Sequence, residues 1–294
     1  MEWLDLSRLI VALVVMAAAS YSDWRTRLAS DLYWLFLGCV GLGLIIYQIV
    51  ILNVDSRLLL FVVPLGVVFF DIFWERKGIF EEGINPVPLL FYVAALVSLA
   101  YLFVTFMNNI LFWQLLSVLV MFLLLMFMYQ IDVIKGGADA KALIALSLMF
   151  PAYPVIGEFP LLQFTNEIVA LLFPFSLLVL FNAAIISLIV PLGLFVYNIA
   201  KRDITFPAMF LGYRINIREA KRKFVWPMER IVEGEIKFTF FPRDDEDNEK
   251  ILEELEIFGA RRIWVTPKIP FLLFITAGII ASAVLGNPVL ALLY

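Results

Sequence analysis

The sequence predicts an all-α polytopic membrane protein of about eight transmembrane helices (six to eight fit the pattern), with a small cytosolic α+β insert. Three observations lead there. The 294 residues are 63% hydrophobic, with a mean hydropathy of +0.96. Charged residues make up 16%, against about a quarter in soluble domains. The polar residues are also gathered: one long polar stretch, 201–268, interrupts a series of apolar runs.

A spanning helix needs about 20 mostly apolar residues, at about 1.5 Å rise each. The first run, 6–22, follows Glu2 and Asp5. Its Ala17–Ala19 looks like a cleavage site, but no basic region precedes it, so it reads as a retained helix. The second, 32–52, holds Cys39, which reads as a small hydrophobe. The third, 58–74, is short and holds Asp71. Runs 87–106 and 111–131 carry no charged residue. The sixth, 140–156, is short and follows a glycine pair. The seventh, 168–198, contains Pro174 and Pro191 and is expected to be kinked or divided. The eighth is 269–293.

Residues 1–200 therefore read as a transmembrane bundle, 201–268 as the cytosolic insert and 269–294 as a final helix. Within the insert, "EIKFTFF" and "ARRIWVTP" read as strands. "DDEDNEKILEELEIFG" reads as an acidic helix start, an apolar stripe and a glycine stop.

Lys and Arg mark the cytoplasmic side. Eight alternating spans with both termini outside put Arg25, Arg27, Arg76, Lys77, Lys135, Lys141 and the whole insert inside. Of the 22 basic residues, only Arg8 and Arg57 then fall outside. The expected location is the cytoplasmic membrane. A basic cluster at Arg214, Arg218, Lys221, Arg222 and Lys223 reads as contact with anionic lipid headgroups, in preference to a protein docking site. Nothing in the charge balance points to nucleic acid.

The chain has no histidine and one cysteine. That excludes Ser-His-Asp and Cys-His catalysis, histidine-ligated zinc or haem, an intramolecular disulfide and cysteine-clipped clusters. No metal or cofactor is expected. Polar chemistry is left to carboxylates, Lys, Arg, Tyr and hydroxyls.

Two stretches stand out at span borders. "YSDWRTR" (21–27) ends the first span with Asp23. "IKGGADAKALIALSLMFP" (134–151) begins the sixth span with Asp139. The alternation puts both on the inside, at one depth. Two carboxylates sharing a site hold one proton between them, and such a pair can hydrolyse a peptide without metal or covalent intermediate. Gly136 and Gly137 allow a loop and close approach of a substrate backbone. Lys141, just beyond Asp139, either tunes it, touches a substrate carbonyl or is an interfacial lysine. Taken singly, each aspartate also reads as a helix cap or an interfacial ion pair, and Asp71 is a rival carboxylate nearer a span's interior.

"GGADAKALIALSLMFP" and "SDWRTR" resemble the archaeal prepilin and preflagellin peptidases. These are membrane aspartic peptidases related to bacterial type IV prepilin peptidases and more remotely to presenilins. "WVTPKIPF" before the last span is similar to the archaeal branch as well. The resemblance puts the catalytic aspartates on Asp23 and Asp139. It departs in two places: Ala138 stands where the wider superfamily has glycine, and four spans rather than two lie between the aspartates. It implies removal of short basic leader peptides from archaellin or type IV pilin-like precursors at the cytoplasmic face. Glu81 and Glu82, with Glu75 and Asp132, are candidate sites for the basic leader. The other readings are a presenilin-like protease cutting within the membrane and a non-enzymatic transporter or scaffold. Whether the two aspartates stand together without substrate is left open at this stage.

Overall fold

The computed structural model describes residues 2–80, 83–162, 167–240 and 247–288, without the side chains of 167–169. The chain divides into two compact units, Met1–Ile186 with Pro270–Tyr294, and Ser187–Ile269.

The first unit is helical. It contains α1 (Glu2–Thr26), α2 (Asp31–Ile51), a 3-10 turn (Ser56–Phe61), α3 (Val62–Asp71), α4 (Pro86–Phe106), α5 (Ile110–Gln130), α6 (Gly137–Met149), α7 (Glu167–Leu172), α8 (Phe175–Ser187) and α13 (Phe271–Val284). Local chemistry sets the boundaries. Ser30 caps α2 by accepting from the Leu32 N–H at 3.3 Å, and Asn109 caps α5 by accepting from the Leu111 N–H at 2.9 Å, each satisfying a donor that the helix start leaves open. Pro86 opens α4, where its missing N–H costs nothing.

α6 is the centre of this unit. Every residue from Ala142 to Met149 is buried, as is Ala140. It packs most closely on α2. A methyl at Gly41 would stand 2.8 Å from the Leu148 carbonyl carbon and 2.9 Å from the Met149 nitrogen, so the two backbones approach because that position has no side chain. Hydroxyl and amide contacts link other helix pairs. Ser20 and Thr276 meet at 2.8 Å between α1 and α13, Ser147 donates to Ser176 at 2.8 Å between α6 and α8, and Asn182 donates to Ser282 at 2.9 Å between α8 and α13. Such bonds are worth about 0.6 kcal/mol each in membrane helices.

Among the described residues, five stretches are long and apolar enough to cross a membrane: Glu2–Thr26, Asp31–Ile51, Pro86–Phe106, Ile110–Gln130 and Phe175–Lys201. The protein is thus a mostly helical, multi-pass membrane protein with a small sheet region. The other three expected spans are shorter as helices. The third is the 3-10 turn plus α3, and the sixth is α6 with 13 residues. The eighth is α13 with 14 residues, and residues 289–293 of that expected span lie outside the described residues. At about 1.5 Å per residue, α6 is about 20 Å long, below the usual hydrocarbon thickness of about 30 Å. A helix enclosed by protein has no need to match that thickness, because its ends meet protein groups rather than lipid. The proline-bearing seventh run is divided, with breaks before α8 and at Leu188.

The second unit holds α9 (Ile189–Lys201), α10 (Ala208–Leu211), β1 (Tyr213–Asn216), α11 (Ile217–Ala220), β2 (Val225–Pro227), β3 (Glu229–Val232), β4 (Glu235–Phe238), α12 (Asn248–Ile257) and β5 (Arg262–Pro267). β5 is central in an antiparallel sheet of order β1-β5-β2, pairing Ile215 with Ile263 and Val225 with Pro267. β3 and β4 form a hairpin across Glu233 and Gly234, both at positive φ, as a two-residue turn of matching twist requires. β5 alternates: Ile263 and Val265 join Leu252 and Leu255 of α12, while Trp264 joins Met209 and Met228. Asp247 caps α12 by accepting from the Glu249 and Lys250 N–H groups, and Gly259 at φ +96° follows its end. Residues 244–246 of the acidic helix start, and Phe241 at the end of the first expected strand, lie outside the described residues.

Candidate active site

Asp23 sits in the last turn of α1. Its carbonyl accepts from the Arg27 N–H at 2.9 Å, and Arg27 at φ 59° ends the helix. The Ser22 hydroxyl donates to the Leu28 carbonyl at 3.0 Å, and the Thr26 hydroxyl donates to the Ser22 carbonyl at 2.8 Å. The turn that follows Asp23 is therefore tied back onto its own helix.

Asp139 is placed from the other side. α5 ends at Gln130, and Asp132 takes a left-handed conformation at φ 58°, which aspartate tolerates better than most residues. The Val133 and Ile134 N–H groups then both reach the Met128 carbonyl, at 2.9 and 3.1 Å, and Ile134 is buried. This reversal delivers Gly136 as the residue before α6 and Asp139 into its first turn. Gly136 has φ −86°, so no unusual backbone demands glycine there. The demand is space: a methyl at Gly136 would overlap the Asp139 carboxylate, which folds back over the helix start. A methyl at Gly137 would meet only the Tyr129 hydroxyl, at 3.4 Å, an ordinary contact.

Asp23 lies within electrostatic reach of Asp139. The charge that acts on Asp139 is that of Asp23, and the charge that acts on Asp23 is that of Arg27. Both carboxylates are half-buried. Asp139 also lines a cavity of about 590 Å³. The loop after α5 gives that cavity Ile134, Lys135 and Gly136. Phe173, Leu177, Leu180 and Phe181 form an apolar wall, and Phe271 contributes from the start of α13. One carboxylate therefore opens onto an apolar space large enough for several side chains of an extended chain.

The remaining predicted residues are placed as follows. Lys141 turns to Asp31 at the start of α2, with Nζ 2.8 Å from both carboxylate oxygens, and lies 5.2 Å from the Phe73 ring centre. It joins α6 to α2. Glu81 and Glu82 lie outside the described residues; Glu75 and Asp132 are exposed. Asp71, the rival carboxylate, is engaged: Arg76 Nε donates to it at 2.9 Å and the Tyr92 hydroxyl at 2.8 Å. Sequence reasoning missed Asp31 as the partner of Lys141, the spatial role of Gly136, Tyr129 beside Gly137, and the cavity wall from Phe173 to Phe181. The wall residues carry no signal in the sequence, because one phenylalanine or leucine in an apolar run looks like any other.

The fold is that of a multi-pass helical membrane protein in which Asp139 lines an apolar cavity and Asp23 lies within its electrostatic reach. Comparison with known proteins takes this further. Residues 205–287 match the family model described as Archaeal Peptidase A24 C-terminus Type II. A preflagellin peptidase of Methanococcus voltae is 28% identical over 166 residues, covering 54% of this chain and 66% of that protein. One from Methanocaldococcus jannaschii is 28% identical over 184 residues, covering 59% of this chain and 71% of that protein. A second Methanocaldococcus jannaschii protein, described as uncharacterized, is 25% identical over 289 residues, 96% of this chain and 93% of its own. The chain thus spans just under two thirds of the Methanococcus voltae relative. These similarities mark it as related to the archaeal preflagellin and prepilin peptidases.

Proposed function

We propose that the protein is a membrane aspartic endopeptidase that removes short basic leader peptides from archaellin or type IV pilin-like precursors. What supports this reading most is that Asp23 acts electrostatically on Asp139, 116 residues further along the chain, and that Asp139 opens onto the apolar cavity. The similarity to preflagellin peptidases supports the same reading.

In the proposed reaction, the pair holds one proton. The ionised carboxylate takes a proton from water as its oxygen attacks the scissile carbonyl carbon. The neutral carboxyl donates its proton to the carbonyl oxygen, giving a tetrahedral diol. Collapse of the diol re-forms the carbonyl and breaks the C–N bond, while the amine leaves with a proton from the pair. The apolar wall receives the hydrophobic segment beyond the cut, and Glu75, Glu81, Glu82 and Asp132 attract the basic leader. Gly136 makes room for the Asp139 carboxylate itself, and Gly137 leaves room beside it for the substrate backbone.

The wider arrangement belongs to the same proposal. Residues 1–200 form the catalytic bundle, 201–268 a cytosolic insert and 269–294 a final helix. Eight crossings with both termini outside put the two aspartates at the cytoplasmic face, and this follows the distribution of basic residues. The engagement of Asp71 by Arg76 and Tyr92 favours the peptidase over a transporter that loads a proton within a span.

The test is cleavage of leader-bearing archaellin and pilin precursors by membranes containing wild type, Asp23→Asn, Asp139→Asn or Asp71→Asn. Asparagine keeps the shape and removes the titratable proton. Each of the first two should lose activity by about 10³-fold or more, in the range of an acid–base group, and Asp71→Asn should keep most of it. Substantial cleavage by both site variants would overturn the two-aspartate mechanism. Failure of wild type on a broad precursor panel would overturn the substrate class.

A further inference from the structure

We propose that Arg218, Arg222 and Arg261 form a binding site for a phosphate-type anion in the α+β unit. The three line one surface concavity of about 710 Å³, together with Glu219 and Glu256. What distinguishes them from the other basic residues nearby is what each is bonded to. Lys221 holds Glu256 at 2.7 Å, and Lys223 holds Glu219. Arg214 and Arg262 share Asp203, at 3.9 and 3.4 Å. Arg218, Arg222 and Arg261 make no ion pair and no side-chain hydrogen bond to any described residue. The two glutamates in the concavity are each bonded to a lysine, so the three guanidinium groups around one space have no bonded carboxylate among the described residues. Glu256 feels the field of Arg218 only after that of Lys221.

The backbone holds these three positions in place. The Ile217 N–H donates to the Arg261 carbonyl at 3.2 Å, which fixes the approach to β5 against the start of α11. The Lys221 and Arg222 N–H groups reach back to the Ile217 and Glu219 carbonyls, both at 3.1 Å. Arg218 and Arg222 therefore lie one turn apart. The Ala260 N–H reaches the Leu255 carbonyl at 3.0 Å after Gly259 has turned the chain, and this sets Arg261. Planar guanidinium groups presented from a fixed scaffold suit phosphoryl oxygens, which they bind through paired N–H donors.

Two sources carry that chemistry. One is an anionic lipid headgroup. The same unit contains apolar α9, whose buried Asn198 donates to the Met209 and Gly212 carbonyls at 2.9 and 2.7 Å. β1 and α11 follow that apolar helix after α10, whose Met209 and the adjoining Gly212 are the two residues Asn198 holds. The other source is a dissolved phosphate compound.

The full-length protein in nanodiscs of neutral phosphatidylcholine would be titrated with inorganic pyrophosphate by calorimetry. In a second arm, the protein in mixed micelles would be offered fluorescent phosphatidylglycerol or matched phosphatidylcholine. Two variants remove equal charge: Arg218→Gln with Arg261→Gln from the concavity, and Arg214→Gln with Arg262→Gln from the Asp203 pairs. Wild type should bind one of the phosphate probes. The first variant should weaken that binding by about tenfold or more, and the second by less than about threefold. Binding of pyrophosphate alone assigns the dissolved source, and selective retention of phosphatidylglycerol alone assigns the headgroup; either upholds the site. The proposal is overturned if neither probe binds, if the two variants lose binding equally, or if polyglutamate binds as tightly as pyrophosphate. No arm reads cleavage, so the result stands apart from the peptidase reading.

Discussion

Gly136 and Gly137 are adjacent and look interchangeable in the sequence, yet they face different surroundings. The first leaves room for the Asp139 carboxylate, and a methyl on the second would make only ordinary contact with the Tyr129 side chain. Gly136→Ala should displace the carboxylate and lower kcat/KM for precursor cleavage by at least about tenfold, since small misplacements at a reacting centre are costly. Gly137→Ala should stay within about threefold. A Gly136→Ala enzyme that cuts like wild type would show that the carboxylate has another seat. At this scale the border position of Asp139 was legible, because a carboxylate next to a long apolar run is conspicuous. The purpose of Gly136 was not, because it depends on which way one side chain turns. The partner of Lys141 was hidden for a similar reason. Residues two apart on a helix do not share a face, and Lys141 reaches Asp31 rather than Asp139.

Helix contacts make a different set of residues critical. Gly41 lets α2 lie against α6 backbone to backbone, whereas Gly43, half a turn on, has nothing near it. Gly41→Val should lower stability by about 1–3 kcal/mol, as over-packing does, and the loss should appear as a lower unfolding temperature of the detergent-solubilised protein. Gly43→Ala should be neutral or slightly stabilising, because alanine is the better helix former. Equal effects of the two would mean that α2 and α6 are not held at close range. The long helices α4 and α5 match the predicted runs within a residue or two, since in lipid an apolar run of that length has few alternatives. The enclosed helix α6 and the partly buried α3 and α13 are shorter than the expected runs, because hydropathy does not tell a residue facing lipid from one facing protein. In the α+β unit β4, β5 and α12 were legible. β1, β2 and β3 were not, being three or four residues long and without clear alternation.

Across the whole molecule, the α+β unit has its own response to pH. Glu229 on β3 accepts from the Trp264 N–H at 3.3 Å. Burial pushes its carboxyl above the usual range, with that hydrogen bond and Arg214 opposing. A raised value means that the folded state holds the proton more tightly than the unfolded chain does. The resulting stability is fully present below the ordinary glutamate value of about 4.3, and it is lost as pH rises through the raised one. Glu229→Gln keeps an acceptor for Trp264 and carries no charge. Peptide-resolved hydrogen exchange on the full chain should find this unit more protected in the variant at pH 7, with the difference closing near pH 4. A difference that persists there would assign the effect to something other than the charge. The division of the chain into units was visible in outline as one polar stretch among apolar ones. That the last helix returns to the first unit could not be read from composition. This return governs the order of manufacture. Phe271 of α13 lines the cavity, and Thr276 meets Ser20 one turn before Asp23, yet both leave the ribosome only after the 83 residues of Ser187–Ile269. A nascent chain already carries both aspartates and the wall from Phe173 to Phe181 while Phe271 is still missing, so the pocket is completed only when the final helix docks.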